Sequence, residues 1–199
     1  MEQEPPDGAW DASQIQELFT DAGGRFLCAR WGRPVAPVIF GLEDASLDIF
    51  RAAIRSGFAH AGHPMADTDP ETGANLMLFF VRDWTELSAL PDLDRLTGLD
   101  DLPRRLSGQA ADQYRLFRFD DRGGIRACLT FLNMGGALGK AHPGRLAEKV
   151  MMQSALTFAR EIGPSASLAA LIRAAYDPVL PLATTEPAHA LRLAARLML

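Results

Sequence analysis

The chain has 199 residues, 48% of them apolar and 23% charged, which is the balance of an ordinary globular protein. That length suits one large domain and buries enough surface to fold without a disulfide or metal staple. A net charge of -5, with Lys140 and Lys149 the only lysines, argues against a nucleic-acid partner, which needs a basic surface to displace counterions.

Met1 is followed by acidic residues and Pro5-Pro6 rather than by a basic start and an apolar run, so no secretory signal is read. A cytoplasmic location is expected unless Met1 begins a trimmed, exported chain. Apolar runs such as Leu76 to Val81 are far below the ~20 residues that span a bilayer. Cys28 and Cys128 fall in predicted strands, where thiols act as small hydrophobes. Residues 1–10 are expected to form a loose tail and 11–199 a single α+β domain.

In chain order, the first helix is predicted from Ala12 to about Ala22, entered through Asp11 or Ser13 and stopped by Gly23-Gly24. Arg25 to Trp31 and Val35 to Phe40 read as two strands joined at Gly32-Arg33-Pro34, which suggests a hairpin. Helix two begins near Asp44, with Leu47, Phe50, Ile54 and Phe58 on one stripe, and stops at Gly62 and Pro64. An exposed loop from His63 to Gly73 leads to Leu76–Val81, an unbroken apolar run that suits a central strand covered on both faces. Short helical pieces fill Trp84 to Gly108. Tyr114–Phe119 and Ile125–Leu132 form a hairpin turned at Gly123-Gly124. The last third is helical, over Gly144–Ile162, Ser167–Tyr176 and Glu186–Leu199. The expected fold is a mixed, mostly antiparallel sheet of about five strands with helices packed on it.

Four groups of residues carry candidate chemistry. His60 and His63 at the end of helix two, with Asp67 and His142 as further ligands, would hold zinc or a similar metal; polar histidines at a helix end are the competing reading. Gly135, Gly136, Gly139 and Lys140 lie between a strand and a helix, where backbone N–H groups cradle an anion. Met134 and Ala141 break the phosphate-loop pattern, which favours a plain connection. Arg115, Arg118, Arg122 and Arg126 alternate with apolar residues as a solvated sheet face would, with an anionic-ligand patch as the alternative. No Gly-x-Ser-x-Gly elbow or catalytic cysteine context is present, so no cofactor or nucleophile is assigned.

Arg30-Trp31-Gly32-Arg33-Pro34-Val35, Ala74-Asn75 before the apolar strand, and Leu171 through Tyr176-Asp177-Pro178 to Leu180 resemble stretches of a bacterial family of uncharacterised, mostly exported proteins with a zincin-like helix. The resemblance covers roughly Cys28 to Leu199. Where that family carries Glu-Glu-x-x-Gln, this chain has Lys149-Val150-Met151-Met152-Gln153, and only Gln153 is kept. Glu148 is one residue, or about 100° of helix, away from the missing acid. The resemblance therefore implies a shared scaffold without hydrolysis, and a non-catalytic binding or assembly protein acting on an unknown partner or as a homodimer. A metal-dependent hydrolase using His60 and His63 is the alternative.

Overall fold

The computed structural model describes residues 10–198. Most of the expected tail therefore lies outside the described residues. Trp10 is the exception, and it is buried in the core.

Helix α1 (Ala12–Leu18) is fixed by reciprocal bonds: Asp11 Oδ1 accepts from the Gln14 amide at 2.8 Å, and the Gln14 side chain accepts from the Asp11 amide at 3.0 Å. It stops before Gly23 because Thr20 bridges back to Phe26. The strands are β1 (Cys28–Ala29), β2 (Pro37–Phe40), β3 (Leu76–Val81), β4 (Gln113–Phe119), β5 (Ile125–Asn133) and β6 (Ala183–Thr184). The longer helices are α2 (Asp44–His60), α5 (Pro143–Ala155), α6 (Ala166–Ala175) and α7 (His189–Arg196). Two short ones, α3 (Leu93–Thr97) and α4 (Leu102–Gly108), follow a 3-10 turn at Trp84–Ala89.

The class is α+β with a mixed sheet, as expected, but that sheet has four strands rather than about five and is not mostly antiparallel, since two of its three ladders are parallel. The strands divide into a four-stranded sheet of order β2-β3-β5-β4 and a separate two-stranded ladder of β1 with β6. β2, β3 and β5 run parallel, β4 is antiparallel to β5, and β1 is antiparallel to β6. The β4–β5 hairpin is where the sequence places it, turned at Gly123 with φ +80°. The first expected hairpin is not formed. β2 pairs with β3 instead, Pro37 opposite Leu76, and β1 pairs with β6, Cys28 opposite Thr184. Pro34 and Pro37 lack N–H donors, so this segment offers a poor ladder to the strand preceding it. α2 supplies the crossover that a parallel partner requires.

The central strand β3 is covered on both faces. On one, Phe40, Phe79, Phe131 and Tyr114 sit in register across all four strands, with ring centroids 5.0, 4.9 and 6.4 Å apart. Trp84, Leu87, Leu102 and Leu106 close this face. On the other, Leu76, Leu78, Phe80 and Cys128 meet Phe50, Ile54 and Phe58 of α2 and the buried face of α5. A Cβ on Gly57 would collide with Met151, so the glycine sets how closely α2 and α5 approach.

α5 ends at Ala155 rather than at Ile162. Leu156 bridges Arg30, while the Thr157 hydroxyl accepts from the Ala29 amide at 2.8 Å and donates to the Leu27 carbonyl at 2.9 Å. These bonds draw the chain out of the helix and hold it against β1. The four sheet arginines do not share one solvated face. Arg115 reaches the Phe158 carbonyl at 3.3 Å, whereas Arg118 reaches the Leu96 carbonyl at 3.1 Å, as alternation along a strand demands for odd and even positions.

Candidate functional site

Arg30–Pro34, Asn75 and Tyr176–Leu180 are far apart in sequence and meet in space. Trp31, 1% exposed, donates its indole N–H to the Ser154 carbonyl at 2.8 Å. The Tyr176 hydroxyl donates to the neighbouring Ala155 carbonyl at 2.8 Å and lies 3.5 Å from the Trp31 amide nitrogen. The Arg30 amide donates to the Leu182 carbonyl at 3.0 Å, and its guanidinium lies 5.8 Å from the Tyr176 ring centre. Between these segments opens a notch of about 430 Å³. Pro34, Pro64, Pro178 and Pro181 line it, which gives it walls with little backbone freedom.

Behind the Arg33 backbone lies a second polar cluster. The exposed loop expected over His63–Gly73 folds inward at Asp69, which is 3% exposed. Asp69 Oδ1 accepts from the amides of Glu71 (2.9 Å) and Thr72 (2.7 Å) and from the Thr72 hydroxyl (2.8 Å). Its Oδ2 accepts from Asn75 Nδ2 at 3.2 Å, and Arg33 Nη1 stands 3.4 Å from both oxygens. Burial pushes this carboxyl up, but the Thr72 and Glu71 bonds and the Arg33 charge outweigh burial and bring it to about 2. Asn75, fully buried, accepts from the Ala36 amide at 2.8 Å and donates to the Pro34 carbonyl at 2.9 Å. Arg33 also meets Glu71 at 3.0 Å. This cluster holds the entry to β2, and it is close to saturated.

The notch is not saturated. Arg30, Arg33 and Arg122 line it together with His63. Arg33 is neutralised by Asp69 and Glu71. Arg30 and Arg122 have no carboxylate within ion-pair distance among the described residues. Arg30 Nη2 reaches only the Leu180 carbonyl, at 3.4 Å, and the buried Nε atoms of Arg30 and Arg33 have no hydrogen-bond partner. His63 packs on Tyr176 and Phe58, with centroids 5.1 and 5.9 Å away. Its Nε2 lies 2.9 Å from the Arg33 carbonyl, so that nitrogen carries the proton. Burial lowers the pKa of His63; the carbonyl bond opposes this and the Arg30 charge adds to it.

The histidines and aspartate proposed as metal ligands are dispersed. His63 faces the notch, whereas His60 lines two grooves on the other side of the α2 end. Asp67 is exposed beside Arg51 and Arg55, and His142 caps α5 by accepting from the Gly144 amide at 3.2 Å. Among the described residues no three His, Cys, Asp or Glu side chains are placed to hold a metal ion. The helix break at Gly62 turns His63 away from His60.

The glycines of the 135–140 loop answer to their own backbone. A Cβ on Gly135 would strike the Arg82 carbonyl, and one on Gly139 the Met134 carbonyl. The Gly135 amide donates to Asn133 Oδ1 at 2.9 Å, Gly136 stands beside Asp112, and Lys140 is exposed. This loop is a tight strand exit. Gln153 is buried, donating to the Ile162 carbonyl at 3.2 Å with its Oε1 unpartnered. Asp177 accepts from the Val179 amide at 2.8 Å and meets Arg196 at 3.3 Å, and Pro178 follows it on the notch wall.

Four other hollows are larger: two of about 620 and 490 Å³ flank α6, one of about 520 Å³ lies beside β2, and one of about 540 Å³ lies around α3. In the first the Asp177–Arg196 pair is already matched, and the second is lined largely by alanine, glycine and methionine. The notch combines preformed walls with unmatched charge and is the better candidate. Reading along the chain missed it because Arg30, His63 and Arg122 sit on three separate segments. The unusual density of proline beside arginine was the available signal. Compared with known families, characterised proteins and solved structures, the chain matches none.

Proposed function

We propose that this protein is a non-catalytic binding domain whose ligand site is the notch between Arg30–Pro34, His63 and Pro178–Leu182. One observation carries this reading: a preformed concavity is lined by Arg30 and Arg122, neither of which has a carboxylate partner among the described residues, and binding sites leave such charges for a ligand to match. Among the described residues that line the notch there is no serine, threonine or cysteine to serve as a nucleophile. The hydrolase alternative has weaker footing, since His63 Nε2 is committed to the Arg33 carbonyl and His60 belongs to other grooves. The two unpaired thiols support a cytoplasmic setting. Burial pushes Cys28 up to about 12 and Cys128 up to about 11, which makes them inert packing groups.

A fragment library screened by protein-observed NMR tests the reading. Hits should cluster on the amides of Trp31, Gly32 and Leu182. Hits that map instead to the His60 grooves would move the function there.

A further inference from the structure

The charge balance of the notch also bears on what kind of molecule it takes. Of its three arginines, Arg33 already has Asp69 and Glu71, at 3.4 and 3.0 Å. Arg30 is held in place by the Leu182 and Leu180 carbonyls and by the Tyr176 ring, yet none of these cancels a full positive charge. Arg122 sits in the β4–β5 turn, its amide accepted by Asp120 Oδ1 at 2.9 Å while its guanidinium is left for the notch. Asp120 Oδ1 also accepts from the Gly124 amide at 3.0 Å, and its Oδ2 lies against Gly32. The turn holds that carboxylate in place. His63, whose pKa burial lowers, adds no formal charge while it is neutral.

Building on the binding reading above, we infer that the notch holds the oxyanion end of a small molecule, a phosphate or carboxylate group gripped by Arg30 and Arg122. Planar guanidinium forks match the spacing of two oxyanion oxygens, and a fixed fork loses less freedom on binding than a mobile one. The proline-lined rim leaves space beyond a single anionic group, so the rest of the ligand rests on Pro178, Pro181 and Leu182. On a protein of net charge -5 this is a local attraction, and it draws in small anions rather than a polyanion.

The test titrates the uniformly labelled full chain with inorganic phosphate and, separately, with acetate, at constant ionic strength. Saturable shifts of the Trp31, Gly32, His63 and Leu182 amides are expected, with affinity about tenfold weaker in Arg30→Gln and in Arg122→Gln and partly kept in Arg30→Lys. Stronger phosphate binding would point to a phosphorylated ligand and stronger acetate binding to a carboxylate. Arg122→Gln, in an exposed turn, carries the test if Arg30→Gln does not fold. Absence of shifts with both anions, or shifts that survive both glutamine variants, overturns the inference. Neutral fragments bound in the notch without any response to either anion would remove the oxyanion and leave the binding reading standing.

Discussion

On either side of the Arg33 backbone, two polar clusters handle charge in opposite ways. Behind it, Asp69 gathers donors from Glu71, Thr72, Asn75 and Arg33 until its oxygens are fully used. In front, Arg30 reaches only the Leu180 carbonyl and has no carboxylate at pairing distance among the described residues. Satisfied groups of the first kind hold a fold together, because losing any partner strands the others. A charge left without a counter-ion, as at Arg30, adds little to stability and is open to a ligand's charge. The contrast separates a structural cluster from the proposed binding notch without any appeal to catalytic motifs.

The sharpest way to break this comparison is Asp69→Ala. It leaves Arg33 with Glu71 alone and strands buried donors, and should lower stability by about 3 kcal/mol in denaturant melts. Asn75→Ala comes next, at about 2 kcal/mol, because the Ala36 amide and Pro34 carbonyl lose their partners. Losses well under 1 kcal/mol in both would show that the cluster is ornamental.

Acid adds two separable steps. The folded pKa of Asp69, about 2, lies below its ordinary 3.8, so the stability it contributes is present above that value and is lost as pH falls toward 2. Asp69→Asn should flatten that part of the stability curve. His63 is a base lowered from 6.5 in the fold, so the unfolded chain takes up the proton first and stability declines as pH drops below that value. His63→Gln should reduce the decline and leave a remainder from His189, whose pKa burial also lowers. An unchanged curve between neutral pH and pH 5 would show that His63 is not buried as described. Smallest of all is Arg30→Gln, which should cost about 1 kcal/mol or less, the worth of one cation–π contact and a long hydrogen bond.

Much of the fold is legible in local pattern. The stripe Phe50-Ile54-Phe58 places α2, the unbroken run 76–81 places the central strand, and the glycine turn places the β4–β5 hairpin. What local pattern cannot carry is pairing between distant segments. β1 finds its partner in β6 near the other end of the chain, and Thr157 ends α5 by bonding to Leu27 and Ala29. The site was lost for the same reason. Glycines 135, 136 and 139 imitate an anion cradle in sequence, but carbonyls of Arg82 and Met134 explain two of them. His60 and His63 imitate a metal pair, but the turn at Gly62 sends them to different surfaces. Arg30 and Tyr176 stand 146 positions apart in the chain, and their meeting depends on the β1–β6 ladder.

The most direct measurement is a set of denaturant melts of wild type, Asp69→Asn and Arg30→Gln, each with and without saturating phosphate. The account predicts a clear loss for Asp69→Asn with phosphate stabilisation retained, and near-wild-type stability for Arg30→Gln with that stabilisation gone. Equal destabilisation by the two substitutions, or phosphate stabilisation that persists in Arg30→Gln, would contradict the division between a structural cluster and a binding notch.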